Sequence, residues 1–143
     1  MITVKTDAEI ALMRESGKIT RDVLDLIGST IRVGMTTKEL DEIAYNYIKS
    51  CGAYPSFLGY SGYPASICAS IDDMVVHGIP SHDEVIKDGQ IVSIDVGVVY
   101  NGWQGDAART FKVGKVSEEK QKLVKVTEEC FFEAIKNLHD GSF

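Results

Sequence analysis

The dipeptide Asn101-Gly102, set inside the strand-like run Ile91–Phe111, limits the fold of this chain more than any other feature. A two-residue type I′ turn needs positive φ at both central positions, and Asn and Gly tolerate it best. If these two residues form the loop, the register follows by counting. Asp95 lies opposite Ala108, and Gly97 lies opposite Asp106. Side chains alternate along a strand, so both carboxylates then point to one face. They become diagonal cross-strand neighbours with Cα atoms about 7 to 8 Å apart, close enough to reach a shared centre.

Ile91, Ser93, Asp95, Gly97 and Val99 share that face, while Val92, Ile94, Val96 and Val98 form an apolar one suited to a core. A carboxylate in so apolar a strand is costly unless a cation neutralises it, and a second one adds like-charge repulsion. One or two divalent metal ions resolve both costs. The alternative is that the acids face water or meet a basic partner such as Arg109, since paired acids are common on solvated hairpin faces.

Around this hairpin the chain reads as helices first, strands in the middle and a helix last. Thr6 with Glu9 and Thr36 with Glu39 are capping-box signatures. The first predicts a helix with the stripe Ile10, Met13, Gly17, Thr20, Leu24 and Ile27. The second carries Leu40, Ile43, Ala44, Tyr47, Ile48 and Cys51 and stops at Gly52. Gly28 and Gly34 bracket the loop between them. From Ala53 to about Phe111 short apolar runs are broken by Gly, Pro, Asn and Asp, which is strand texture. Ser117, Glu118 and Glu119 open a third helix with the stripe Leu123, Thr127, Cys130, Phe131, Ala134 and Leu138, closed by Asp140-Gly141. This order predicts an α+β fold, an antiparallel sheet with helices on one face.

With 143 residues, the chain suits one α+β unit over 1–143 that can bury a sizeable core. A net charge of -6 and the lack of a basic cluster argue against nucleic acid or an anionic membrane as partner. No apolar run approaches a membrane span, and the polar start lacks a signal-peptide pattern, so the expected address is the cytoplasm. Cys51, Cys68 and Cys130 form no CxxC pair and are expected to be buried thiols.

A second constellation lies between Tyr54 and Pro80. Phe57, Tyr60 and Tyr63 fall among glycines and a proline, as in a shaped apolar pocket built on a loop, or equally in a packed corner of the core. His77, at a Gly turn after an apolar stretch, fits either a hydrogen-bonded structural residue or a donor to a substrate amide near the metals.

The ordered set Phe57-Leu-Gly-Tyr60, Gly62-Tyr63-Pro64, Val75-Val-His77-Gly-Ile-Pro80, Asp88-Gly-Gln-Ile-Val, Ile94-Asp95-Val and Gly105-Asp106-Ala-Ala-Arg-Thr-Phe111 resembles the type I methionine aminopeptidases over essentially the whole chain. The resemblance implies a pita-bread fold, of which this chain is the N-terminal half, and removal of the initiator Met from nascent polypeptides. It implies two divalent metal ions (Mn, Fe, Co or Zn), with Asp95 chelating one and Asp106 bridging both. His77 resembles the substrate-binding histidine of that family. Tyr60, Tyr63 and Cys68 resemble the walls of the pocket for the Met side chain, with Phe57 at a position where the family varies. Asp72 sits where relatives often carry Asn.

The family draws a His and two Glu ligands, its general base among them, from a C-terminal half. His82 and His139 fall outside the matching motifs. This chain is therefore expected to contain no catalytic acid or base of its own, to bind metal weakly or in part, and to be inactive alone. Its exposed half-interface would favour self-association. Two other readings stay open: a non-catalytic peptide- or protein-binding module, and a prolidase or creatinase type of metallopeptidase.

Overall fold

A computed structural model of the chain describes residues 3–142, so the outermost ends of the expected 1–143 unit lie outside the described residues. Helix α1 (Asp7–Thr30) opens as expected: the Glu9 carboxylate accepts from the Thr6 amide at 2.7 Å, and the Thr6 hydroxyl accepts from the Glu9 amide at 3.3 Å. Helix α2 (Thr37–Ser50) repeats this box with Thr36 and Glu39. It ends at Cys51 and Gly52, whose φ of 70° is the left-handed stop that Gly adopts freely.

Two details of α1 differ from the sequence expectation. The buried side begins at Ser16 and runs through Thr20, Val23, Leu24 and Ile27, leaving Ile10 and Met13 exposed. Gly28 does not begin a loop; it lies within α1, where a Cβ would stand 2.7 Å from the Phe111 ring. Here the glycine marks a close approach of helix to strand rather than a helix end.

Strands β1 (Tyr54–Pro55), β2 (Ile67–Ile71), β3 (Ile91–Tyr100) and β4 (Trp103–Lys112) form one antiparallel sheet. Strand β3 is central, pairing with β4 along one edge and with β2 and β1 along the other. Asn101 and Gly102 have φ of 49° and 81°, the turn their chemistry predicts. Asp95 pairs with Ala108 and Gly97 with Asp106, in the register obtained by counting.

Val92, Ile94, Val96 and Val98 are fully buried and join Val23, Leu24, Ile27, Leu40, Ala44 and Ile48 in one core. Helices α1 and α2 therefore cover one face of the sheet. Gly105 lets α1 lie close on β4: a Cβ there would meet Thr20 Oγ1 at 2.6 Å and the Gly17 amide nitrogen at 2.8 Å.

Helix α3 (Glu118–Lys136) starts at Ser117 as expected but ends at Asn137, before Asp140-Gly141. None of its residues is buried, and Phe131 is 61 % exposed. The periodic stripe is present, yet none of it is buried. Cys130 on this helix is exposed and Cys51 is partly exposed, so only Cys68 is the buried thiol that the composition predicted for all three. No helix among the described residues is long and apolar enough to cross a membrane.

The start of α3 is tied down through Lys120, whose ammonium donates to Asp72 Oδ1 at 2.6 Å and to the Gly89 carbonyl at 3.1 Å. Burial alone would raise the Asp72 pKa, but Lys120, the Ile91 amide and Gln90 outweigh it and hold the carboxyl below its ordinary range. A carboxylate depressed in the folded state adds stability that is present above its unfolded pKa and lost as pH falls through the folded one. The urea midpoint of the chain is therefore expected to drop as pH falls below about 4, and Asp72→Asn is expected to flatten that limb. Parallel pH profiles for the two proteins would refute the assignment.

Candidate functional site

The sheet face opposite the helices carries the candidate site. Alternation places Cys68 and Ser70 of β2, Ser93, Asp95 and Gly97 of β3, and Asp106, Ala108 and Thr110 of β4 on this side. Cys68 stands directly opposite Asp95, and Asp106 lies one diagonal step across the hairpin. The two candidate metal ligands thus share one face.

Their electrostatics differ from those of ordinary surface acids. Burial raises the Asp95 pKa, the neighbouring charge of Asp106 raises it further, and His77 acts in the opposite direction. Ion pairs among the described residues leave both carboxylates without a basic partner. Arg109, the alternative basic partner, points to the other side of β4 and pairs with Asp25 of α1 at 2.7 Å. Two adjacent, uncompensated carboxylates make an oxygen donor set that fits a divalent cation. Among the described residues no third His, Cys, Asp or Glu completes a cluster with them.

The loop after β1 folds over this face. The Ser56 amide donates to the Gly97 carbonyl at 2.9 Å, and a Cβ on Gly97 would stand 2.6 Å from the Phe57 ring. A short 3-10 turn at Tyr60–Gly62, entered through the left-handed Gly59, then presents Tyr60 and Tyr63. Burial raises the pKa of the Tyr63 phenol and of the Cys68 thiol, so both remain protonated near neutral pH. Phe57, Tyr60, Tyr63, Cys68, His77, Asp95 and Asp106 line one cleft of about 570 Å³. The cleft adjoins a second hollow of about 700 Å³ that reaches Val76 and the exposed Phe131 and Phe132 of α3. His82 and His139 line neither.

A family model described as metallopeptidase family M24 matches residues 11–142. The chain belongs to this family. Its M24 relatives include the methionine aminopeptidase of Clostridium acetobutylicum, 50% identical over 142 residues, with 99% of this chain and 57% of that protein covered. The crystal structure of methionine aminopeptidase from Thermotoga maritima superposes with a TM-score of 0.93 at 40% identity, covering 96% of this chain and 55% of that one. Likeness to the Xaa-Pro dipeptidase of Bacillus anthracis is lower, with a TM-score of 0.67 at 26% identity over 83% of this chain and 32% of that one. The chain spans about half the length of the curated relatives it matches, and its sheet with helices on one face is that portion of the M24 pita-bread fold.

Three positions shape the site in this M24 chain through contacts that the sequence pattern does not display. Gly97 admits Phe57 over the carboxylate face, and Gly78 presses against the Ala69 carbonyl too closely for any side chain. Ser70 Oγ accepts from the Gly78 amide at 3.1 Å. A glycine inside a strand pattern is itself a signal of close backbone approach, and that signal was available at Gly97.

Proposed function

We propose that this chain is the N-terminal half of a methionine aminopeptidase, and that the complete protein removes the initiator Met from nascent polypeptides in the cytoplasm. The observation that carries this reading is the convergence of Phe57, Tyr60, Tyr63, Cys68 and His77 on the cleft that holds Asp95 and Asp106. In this reading Asp95 and Asp106 would supply carboxylate ligands to two divalent metal ions, drawn from Mn, Fe, Co or Zn. Such a pair, when bound, activates water and polarises the scissile carbonyl.

The chain's own residues do the positioning. Tyr60, Tyr63, Cys68 and Phe57 give the substrate thioether aromatic faces and a sulfur to pack against, contacts that are individually favourable. His77 orients the peptide beside the carboxylates by hydrogen bonding. The remaining ligands and the catalytic base belong to the part of the relatives this chain does not span, so the isolated chain holds metal weakly and turns over no substrate.

Calorimetric titration with Mn, Co and Zn tests this on the chain and on a form extended to the length of its relatives. Binding in the extended form is expected to be at least about a hundredfold tighter, because whole ligands, rather than their supporting groups, are restored. Equal affinity in both forms would argue for a different site. Met-Ala-Ser and an Xaa-Pro peptide offered to the extended form separate the aminopeptidase from a prolidase type, and binding without cleavage of either would favour the binding module.

A further inference from the structure

We infer that the Tyr63 hydroxyl and Ser70 Oγ are positioning groups that lock the backbone carrying His77 to β2, coupling the Met-pocket wall to the histidine that meets the peptide. The inference rests on the proposed role of His77 and adds how that residue is held.

His77 has a φ of 59°, a left-handed conformation uncommon for a residue with a side chain and one that persists only when its surroundings hold it. Its flanking segment offers little help. Asp73 to Val76 are exposed, with Val75 at 88 %, and Met74 makes one backbone hydrogen bond, to the Ile71 carbonyl.

Restraint comes from Gly78, the next residue. The Ala69 amide donates to the Gly78 carbonyl at 2.9 Å, and the Gly78 amide donates to Ser70 Oγ at 3.1 Å. Tyr63 Oη lies 3.1 Å from that same Gly78 carbonyl and 3.0 Å from the carbonyl of Ile67, so its single proton is shared between them. Ile67 precedes Cys68, and Tyr63 is itself a wall of the cleft. One phenol therefore joins three parts of the site: the aromatic loop, the strand bearing Cys68, and the turn bearing His77. Tyr63→Phe keeps the ring that forms the wall and removes only the tie.

The test compares Tyr63→Phe and Ser70→Ala with Tyr47→Phe, which loses a hydroxyl contact to Asp22 on the helical side, away from the cleft. In the protein extended to the length of its relatives, the first two are expected to lower kcat for Met-Ala-Ser about tenfold, the worth of one net hydrogen bond, with KM nearly unchanged. Tyr47→Phe is expected to match wild type. In the 143-residue chain, amide exchange at Ala69 and Gly78, followed by NMR, is expected to quicken in Tyr63→Phe and Ser70→Ala alone. A raised KM at constant kcat, the mark of a pocket wall and nothing more, overturns the inference, as does unaltered exchange at both amides. If the wild-type extended protein releases no Met, the proposed function fails while the exchange data still decide whether the tie exists.

Discussion

Asp106→Ala, made in the protein extended to the length of its relatives and supplied with Mn or Co, is expected to lower kcat for Met-Ala-Ser by at least about a hundredfold. Removing groups that merely support a metal ligand already costs about 10- to 100-fold, so removing a carboxylate proposed to hold metal directly sets that as a floor. The variant is informative because its cost falls on chemistry rather than on folding. Asp106 is exposed, and its charge helps to raise the Asp95 pKa, so deleting it relieves repulsion on the hairpin. The urea midpoint of Asp106→Ala is expected to equal or exceed that of wild type. Activity within threefold of wild type would remove Asp106 from the site.

Gly105→Ala is expected to act on the fold instead, weakening it without removing any candidate site side chain. The added methyl meets Thr20 Oγ1 and, more seriously, the backbone of Gly17 and Ser16, which no rotamer change can clear. Overpacking of this kind costs about 1 to 3 kcal/mol, and here it would push β4 away from α1. Gly102→Ala provides the comparison: its surroundings are open, and its cost comes solely from a φ of 81°. Denaturant titration of the two separates steric from conformational cost. A Gly105→Ala midpoint equal to wild type would mean that helix and strand have room to part.

The part of this structure most readable in the sequence is what short-range chemistry dictates. Capping boxes at Thr6 and Thr36 place two helix starts, and Asn101-Gly102 fixes the register that brings Asp95 and Asp106 to one face. Where the sequence misleads, distant contacts decide. Gly28 looks like a helix end but faces Phe111, a residue far along the chain. The apolar stripe of α3 has the period of a packed helix, and periodicity cannot report whether a facing surface exists. Met74-Val-Val reads as the end of a strand, yet the strand stops at Ile71 and these residues form an exposed turn. The Tyr63 hydroxyl escapes sequence reasoning altogether, because its meeting with Gly78 depends on how two loops settle on β2.

The tight reversal at Asn101-Gly102 also bears on the order in which the molecule assembles. Strands β3 and β4 need only a two-residue closure, and isolated hairpins form within about 1 to 10 μs. Pairing Tyr54 with Val99 must first bring together far more distant segments, which is slower for entropic reasons. The acidic pair is thus expected to be gathered before the aromatic loop encloses it, at a step that its mutual repulsion opposes. Dissolved divalent cations, by screening that encounter, would hasten the nucleus before any finished pocket exists to receive them.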